Sequence, residues 1–313
     1  MEKLKTILVL FLAGTLFASC EKYIDFTGED MPERLVLNSL IQADSAFSVE
    51  LSNSLGYTDI GLIRGIENAR IDILDGQGQF IETLTELGDG MYKGDAVAAM
   101  GQTYRAVASA ANFPGISAVD YVPFAVPISS WDTAFVAIDE FQSEALEITF
   151  AVNDPGAIDN FYMIEVFQVQ LYYLEYVDFD PNTGEAIYDT IYFDNPMRQQ
   201  IYFSSTDVIL TSEFDVGLGE VRVYNDRFVF SDILFNGTTR QFKIDVDYFN
   251  PSGTFELRLT SCSSDFFNYV RTLQRFEYTN GDPFVEPVLV FNNIEGGLGI
   301  WGGSAANVVY IEF

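Results

Sequence analysis

From Arg34 onward, apolar and polar residues alternate with a period of two in short runs, broken by turn residues. Runs at 34–41, 47–51, 69–74, 79–84, 88–92 and 101–108 predict six strands, and Asp75-Gly76 between the third and fourth predicts a hairpin turn. Strands at such close intervals without a helical period predict a β-sandwich. The proline-bearing stretch 121–127 is expected to close it as an edge or connecting segment. A second set starts near Glu144, with runs at 146–150 and 161–179. The chain then turns at 180–184 and returns through 186–193, and further strands are expected at 221–224, 241–248 and 254–260. Helical spacing occurs once: Phe266, Phe267, Val270, Leu273 and Gln274 follow Ser263-Ser264-Asp265, which supplies capping side chains. The expected fold is all-β, with two β-sandwich-like domains, 34–127 and 128–313, and one short helix near 264–277 in the second.

Composition narrows the chemistry. The 313 residues hold 16 Lys and Arg against 46 Asp and Glu, a net charge of −30, so a nucleic-acid backbone is repelled and no nucleic-acid partner is expected. There is no histidine, which removes the commonest general base and metal ligand. Aromatic residues at 15% and apolar residues at 48% supply enough buried area to order the chain despite its charge.

Residues 1–19 place Lys3 and Lys5 before an apolar run from Ile7 to Phe17, the pattern of a secretory signal, and the run is too short to span a bilayer. Ala18-Ser19-Cys20 resembles a bacterial lipobox, which implies cleavage before Cys20 and acylation (palmitate-type chains) at that residue, with 20–33 as a lipidated linker. Phe17 stands where that pattern usually has Leu. Glu21-Lys22-Tyr23-Ile24-Asp25 loosely resembles the acidic export signal of Bacteroidetes surface lipoproteins, so the cell surface is expected over the periplasmic face. With Cys20 acylated, Cys262 has no partner for a disulfide, and without a histidine its bland role is a small half-buried residue at a strand end.

The C-terminal run PFVEPVLVFNNIEGGLGIWGG, the preceding SSDFFNYVRTLQRFE, the central NDPGAIDNFY and the lipoprotein start together resemble the DUF4249 lipoproteins of Bacteroidetes over nearly the whole mature chain. The family has no established activity to carry over. The resemblance implies an all-β, membrane-anchored protein, often encoded beside TonB-dependent outer-membrane transporters. Gly-rich as it is, the C-terminal run matches neither phosphate-loop pattern, and its glycines suit close packing against a sheet or a partner.

Candidate chemistry is sparse. Asp178, Asp180 and Asn182 alternate as calcium ligands do, but the sixth and twelfth positions of such a loop are Thr183 and Asp189, so a solvated hairpin tip is favoured and no metal or other cofactor is expected. Tyr173, Tyr176 and Tyr188 on the predicted long hairpin, together with Trp301, are the candidate partner or ligand surface; cross-strand pairing that only stabilises the hairpin is the alternative for the tyrosines. Asp44-Ser45, Asp132-Thr133 and Asp189-Thr190, each followed by an apolar residue, resemble Bacteroidetes O-glycosylation acceptors. The expected function is a non-enzymatic outer-membrane lipoprotein assisting a TonB-dependent transporter in nutrient capture or uptake; a surface adhesin or envelope-structure binding protein is the alternative. Replacing Cys20 by Ala is expected to abolish incorporation of labelled palmitate and to move the protein from the membrane to the soluble fraction.

Overall fold

The computed structural model describes residues 32–56, 63–137, 144–156, 158–170, 173–179, 183, 186–192, 196–212, 222–247, 254–279 and 285–312. The signal segment, Cys20 and most of the linker lie outside them.

Alternation gives each strand one apolar face, and the strands meet in two stacked pairs of sheets. Strands are numbered along the chain. A nine-stranded spine runs in the order β14 (Met197–Gln200), β11 (Phe161–Gln170), β19 (Thr254–Cys262), β20 (Leu298–Glu312), β1 (Leu35–Gln42), β2 (Ala46–Asn53), β6 (Met91–Val97), β5 (Thr85–Gly88), and β17 (Arg227–Ser231) also pairs with β11. Over one end lies a four-stranded sheet, β4 (Phe80–Thr83), β3 (Arg70–Asp75), β7 (Thr103–Ser109) and β8 (Ile116–Tyr121). Over the other lies a five-stranded sheet, β16 (Val223–Asn225), β15 (Phe203–Ser205), β18 (Thr239–Asp247), β10 (Glu144–Asn153) and β9 (Ile128–Ala137). A separate hairpin pairs β12 (Tyr173–Phe179) with β13 (Ala186–Tyr192). The protein is therefore all-β and sandwich-like, with one α-helix, α1 (Ser264–Thr279), among the described residues.

Each counter-sheet closes its own core. The first packs Leu37, Phe47, Val49, Ile71, Ile73, Tyr104 and Trp301; the second packs Leu146, Ile148, Phe150, Tyr162, Phe230, Phe242 and Leu257. In the second, Tyr162, Phe230, Phe235 and Phe242 form a ring cluster with centroids 5.0–6.2 Å apart, which is where much of the chain's aromatic content is used.

One strand serves both cores. The fifteen residues of β20 reach about 50 Å at ~3.3 Å per residue. Trp301 near its start is in the first core, and Ile311 near its end is in the second. Trp301, Gly303, Ala305 and Ile311 share parity, so both counter-sheets cover the same face of the spine. The opposite parity, Ile300, joins Met163, Val229 and Cys262 under Phe266, Phe267 and Val270 of α1. The expected division at 127/128 is thus crossed by the spine. The two cores do change over in the connector, Val122 belonging to the first and Val126 to the second, but Ile294 and Trp301 return from the far end of the chain to complete the first.

The sequence did not suggest a strand at 298–312 because its glycines hide the alternation. Their reason is close approach. A Cβ on Gly303 would lie 1.8 Å from the Tyr121 carbonyl oxygen, and one on Gly302 would lie 2.8 Å from the Phe266 Cβ. Parallel pairing of β20 with β1 closes the spine from Val36↔Leu298 to Gln42↔Ser304. Gly303→Ala is expected to cost about 3 kcal/mol, the upper end of ordinary overpacking, because the opposing atoms are backbone. Gly115→Ala, where the nearest atom is 3.7 Å away, is expected to stay within about 0.5 kcal/mol. Urea unfolding of both variants checks this.

Candidate functional site

Three places concentrate polar or aromatic chemistry. The first is the seam between the two sandwiches. Here the connector after β8 crosses β20 at Gly303, and Asp120 is buried beneath it. Its carboxylate accepts from the Ser263 hydroxyl, from the Gly303 N–H at 2.8 Å and from the Tyr121 N–H at 2.8 Å. Ser263 also caps α1, accepting the Phe266 N–H at 3.1 Å. Burial drives the Asp120 carboxyl up to about 6, those three hydrogen bonds oppose it, and the charge of Asp265 adds to the rise.

Beside the seam, the Gly-rich motif locks itself in place. The Asn293 side-chain amide donates to the Trp301 carbonyl at 2.9 Å and accepts the Trp301 N–H at 3.0 Å, while the Asn292 side-chain oxygen accepts the Ile294 N–H at 3.1 Å. Gly296 (φ 79°) and Gly299 (φ 112°) carry the chain from this loop into β20. The Trp301 indole N–H donates to the Tyr104 carbonyl at 3.1 Å, and its ring stacks near Phe47. Trp301 is 0% exposed, so it is removed from the candidate surface: its parity on β20 points it into the first core. The central motif is likewise architectural. Asp154 accepts from the buried Tyr162 hydroxyl and from the Gly237 N–H, and burial together with that carboxylate raises the Tyr162 phenol above its ordinary value.

The second place is a charged strip on the outer face of the spine. Arg198 makes a two-pronged pair with Glu256, at 2.8 Å on each arm, and Arg258 joins the same carboxylate at 2.9 Å. Burial raises the Glu256 carboxyl, but the hydrogen bonds and charges of the two arginines outweigh it and hold the group below its usual range. Arg198 also stacks 3.2 Å from the Phe167 ring centre. Neighbouring Glu165 is raised by burial against the pull of Arg227, Arg258 and Arg198, and it accepts from the Gln200 amide at 3.1 Å. The strip balances charge within itself and leaves no uncompensated arginine aimed at solvent among those named.

The third is the β12–β13 hairpin, which pairs with no other described strand. Val177 lies opposite Tyr188, and Val177, Phe179 and Tyr188 are exposed, Tyr188 by 80%. Tyr173 and Tyr176 sit on the same hairpin by register, opposite Tyr192 and Asp189; their side chains lie outside the description. Asp178 is exposed and accepts the Phe179 N–H, whereas Asp180 and Asn182 lie outside the described residues. Among the described residues no cluster of Cys, Asp and Glu is arranged to hold a metal.

Cys262, expected half-buried, is fully buried at the end of β19, and burial, followed by the charges of Glu165 and Asp120, pushes its thiol well above the ordinary range. Ser45 in the β1–β2 turn and Thr133 on β9 are both half-buried. Sequence reasoning missed Asp120, whose signal was faint: an acidic residue inside the apolar-alternating run Ile116–Tyr121. It also missed Trp131, set in the alternation Trp131, Thr133, Phe135.

Fold and site together define a double sandwich with a common spine, a hydrogen-bonded polar seam between the cores and a hairpin with exposed aromatic residues. The family model for DUF4249, a domain of unknown function, matches residues 21–308, and the chain belongs to that family. No curated protein matches the chain.

Because the folded state raises the Asp120 carboxyl, it favours the protonated form, so this contribution to stability is fully present below about pH 4 and is lost as pH rises through about 6. Asp120→Asn, neutral throughout, is expected to gain roughly 3 kcal/mol relative to the parent between pH 4 and pH 7. Urea midpoints of the two proteins across that range check the sign and size.

Proposed function

We propose that this chain is a lipid-anchored outer-membrane protein of the cell surface that binds rather than catalyses, and that it assists a TonB-dependent transporter in capturing or admitting a nutrient. The single observation that carries the reading is the β12–β13 hairpin, which holds Val177, Phe179 and Tyr188 in solvent and contributes none of them to either sandwich core. Large apolar side chains kept on a projecting two-stranded element suit burial against a partner, where aromatic anchors contribute most of the binding energy. The lipobox-like Ala18-Ser19-Cys20 start supports tethering at a membrane. The charge of −30 supports a body held away from an anionic leaflet.

Tagged protein recovered from detergent-solubilised outer membranes is expected to bring down a transporter, and Phe179→Ala with Tyr188→Ala to reduce that recovery about tenfold or more at unchanged melting temperature. Recovery of no transporter by the parent, or equal recovery by the variant, contradicts the reading.

A further inference from the structure

The second sandwich has an unfinished side. β9 is the last strand of its sheet, paired with β10 alone, and no described strand covers its outer edge. In the spine directly beneath, β1 stops at Gln42↔Ser304, so the remainder of β20 is paired only with β19. The two edges meet where the Ile128 N–H donates to the Asn307 side chain at 2.9 Å, which puts both on the same side of the sandwich. Two strand edges, one in each layer, therefore border one lip. Trp131 and Thr133 stand opposite the core residues Phe150 and Ile148, and so face the interior layer, yet Trp131 is 42% exposed because nothing described lies over it. Ile128 and Val309, only partly buried, line the base.

Length and composition separate this edge from the others. Of the other strands at sheet ends, β4, β5, β14 and β16 have three or four residues, β17 five, β8 six and the two hairpin strands seven each, whereas β9 has ten. Proteins blunt edges with short strands, lysines, prolines or bulges. Residues 128–137 contain no Lys, Arg or Pro, and the one irregularity of the β9–β10 ladder lies at its start, near Ile128. What such an edge accepts is extended backbone, through its free N–H and C=O groups.

Charge chooses the occupant. Asp132 on β9, Glu144 on β10 and Glu312 on β20 are exposed, and neither 126–137 nor 303–312 contains a cation. A second copy pairing β9 with β9 about a two-fold axis sets Asp132 near its own mate, inside a dimer of two strongly acidic chains. The geometry points to a strand-acceptor site: an extended segment of a partner polypeptide, carrying Lys or Arg on its solvent face and small apolar residues on the other, adds to β9 and closes the lip over Trp131, Ile128 and Val309. This rests on the second sandwich alone and is independent of the transporter reading.

The probe is an extended peptide of about eleven residues with Lys at each end and Val and Thr alternating between them, so that both Lys share the Thr face. Trp131 reports binding, since Trp301, the other of the two tryptophans, is fully buried. The peptide is expected to shift Trp131 emission to shorter wavelength and to slow hydrogen exchange in 128–137 but not in 85–88 or 197–200. The same peptide with every internal amide N-methylated keeps its charge and loses its backbone donors, and is expected to bind at least about tenfold more weakly. A Glu-ended version is expected to bind more weakly than the Lys-ended one. Equal binding by the N-methylated peptide, absence of protection in 128–137 at millimolar peptide, or concentration-dependent dimerisation that itself protects 128–137 overturns the proposal.

Discussion

The contact on which the rest depends is the passage of the connector over β20 at Gly303. Two backbones lie there at a separation that leaves no room for a Cβ, and the cost of burying Asp120 between them is offset by three donors drawn from separate elements, β8, β20 and the cap of α1. Because those elements belong to different parts of the chain, the seam fixes the helix, the long strand and the changeover between sandwiches at once. It also sets the chemistry of Asp120: a carboxyl kept from water, with an acidic neighbour, is held nearer its neutral form than its ordinary value would place it. The Gly-rich C-terminal run is an answer to this geometry. Its Asn293 clamps Trp301, its positive-φ glycines turn into β20, and its last two glycines make room for Phe266 and Tyr121.

Much of the architecture was legible along the chain because two-residue alternation is imposed directly by one-sided burial. The strands near 34–41, 69–74, 101–108 and 254–260, and the helix with its serine cap, follow from that rule and from capping chemistry. The rule fails where side chains are missing or both faces are alike. β20 could not be read because its glycines carry no polarity signal, and β9 because it is exposed on seven of its ten residues. Trp301 illustrates the limit for sites: aromatic residues beside glycines read equally well as a binding platform or a packed plug, and only the parity of a strand that had not been recognised decides between them. The return of a C-terminal strand to pair in parallel with β1 is a non-local fact that no local pattern encodes.

What the chain leaves exposed is as selective as what it buries. With −30 net charge, most of the surface repels acidic partners and other copies of itself, and the arginines of the spine's outer face are taken up by Glu256 and Asp226. Against that background two uncovered places among the described residues are an apolar hairpin and a long unblunted strand edge. Both suit recognition by burial or backbone pairing, and Cys262, the free cysteine among the described residues, is buried with its thiol held well above the ordinary range.

The central claim is that one strand and one seam make the two sandwiches a single cooperative structure. Differential scanning calorimetry of the mature protein tests it most directly. A single cooperative structure gives one transition whose van't Hoff and calorimetric enthalpies agree; two resolved transitions, or a calorimetric enthalpy near twice the van't Hoff value, would contradict it.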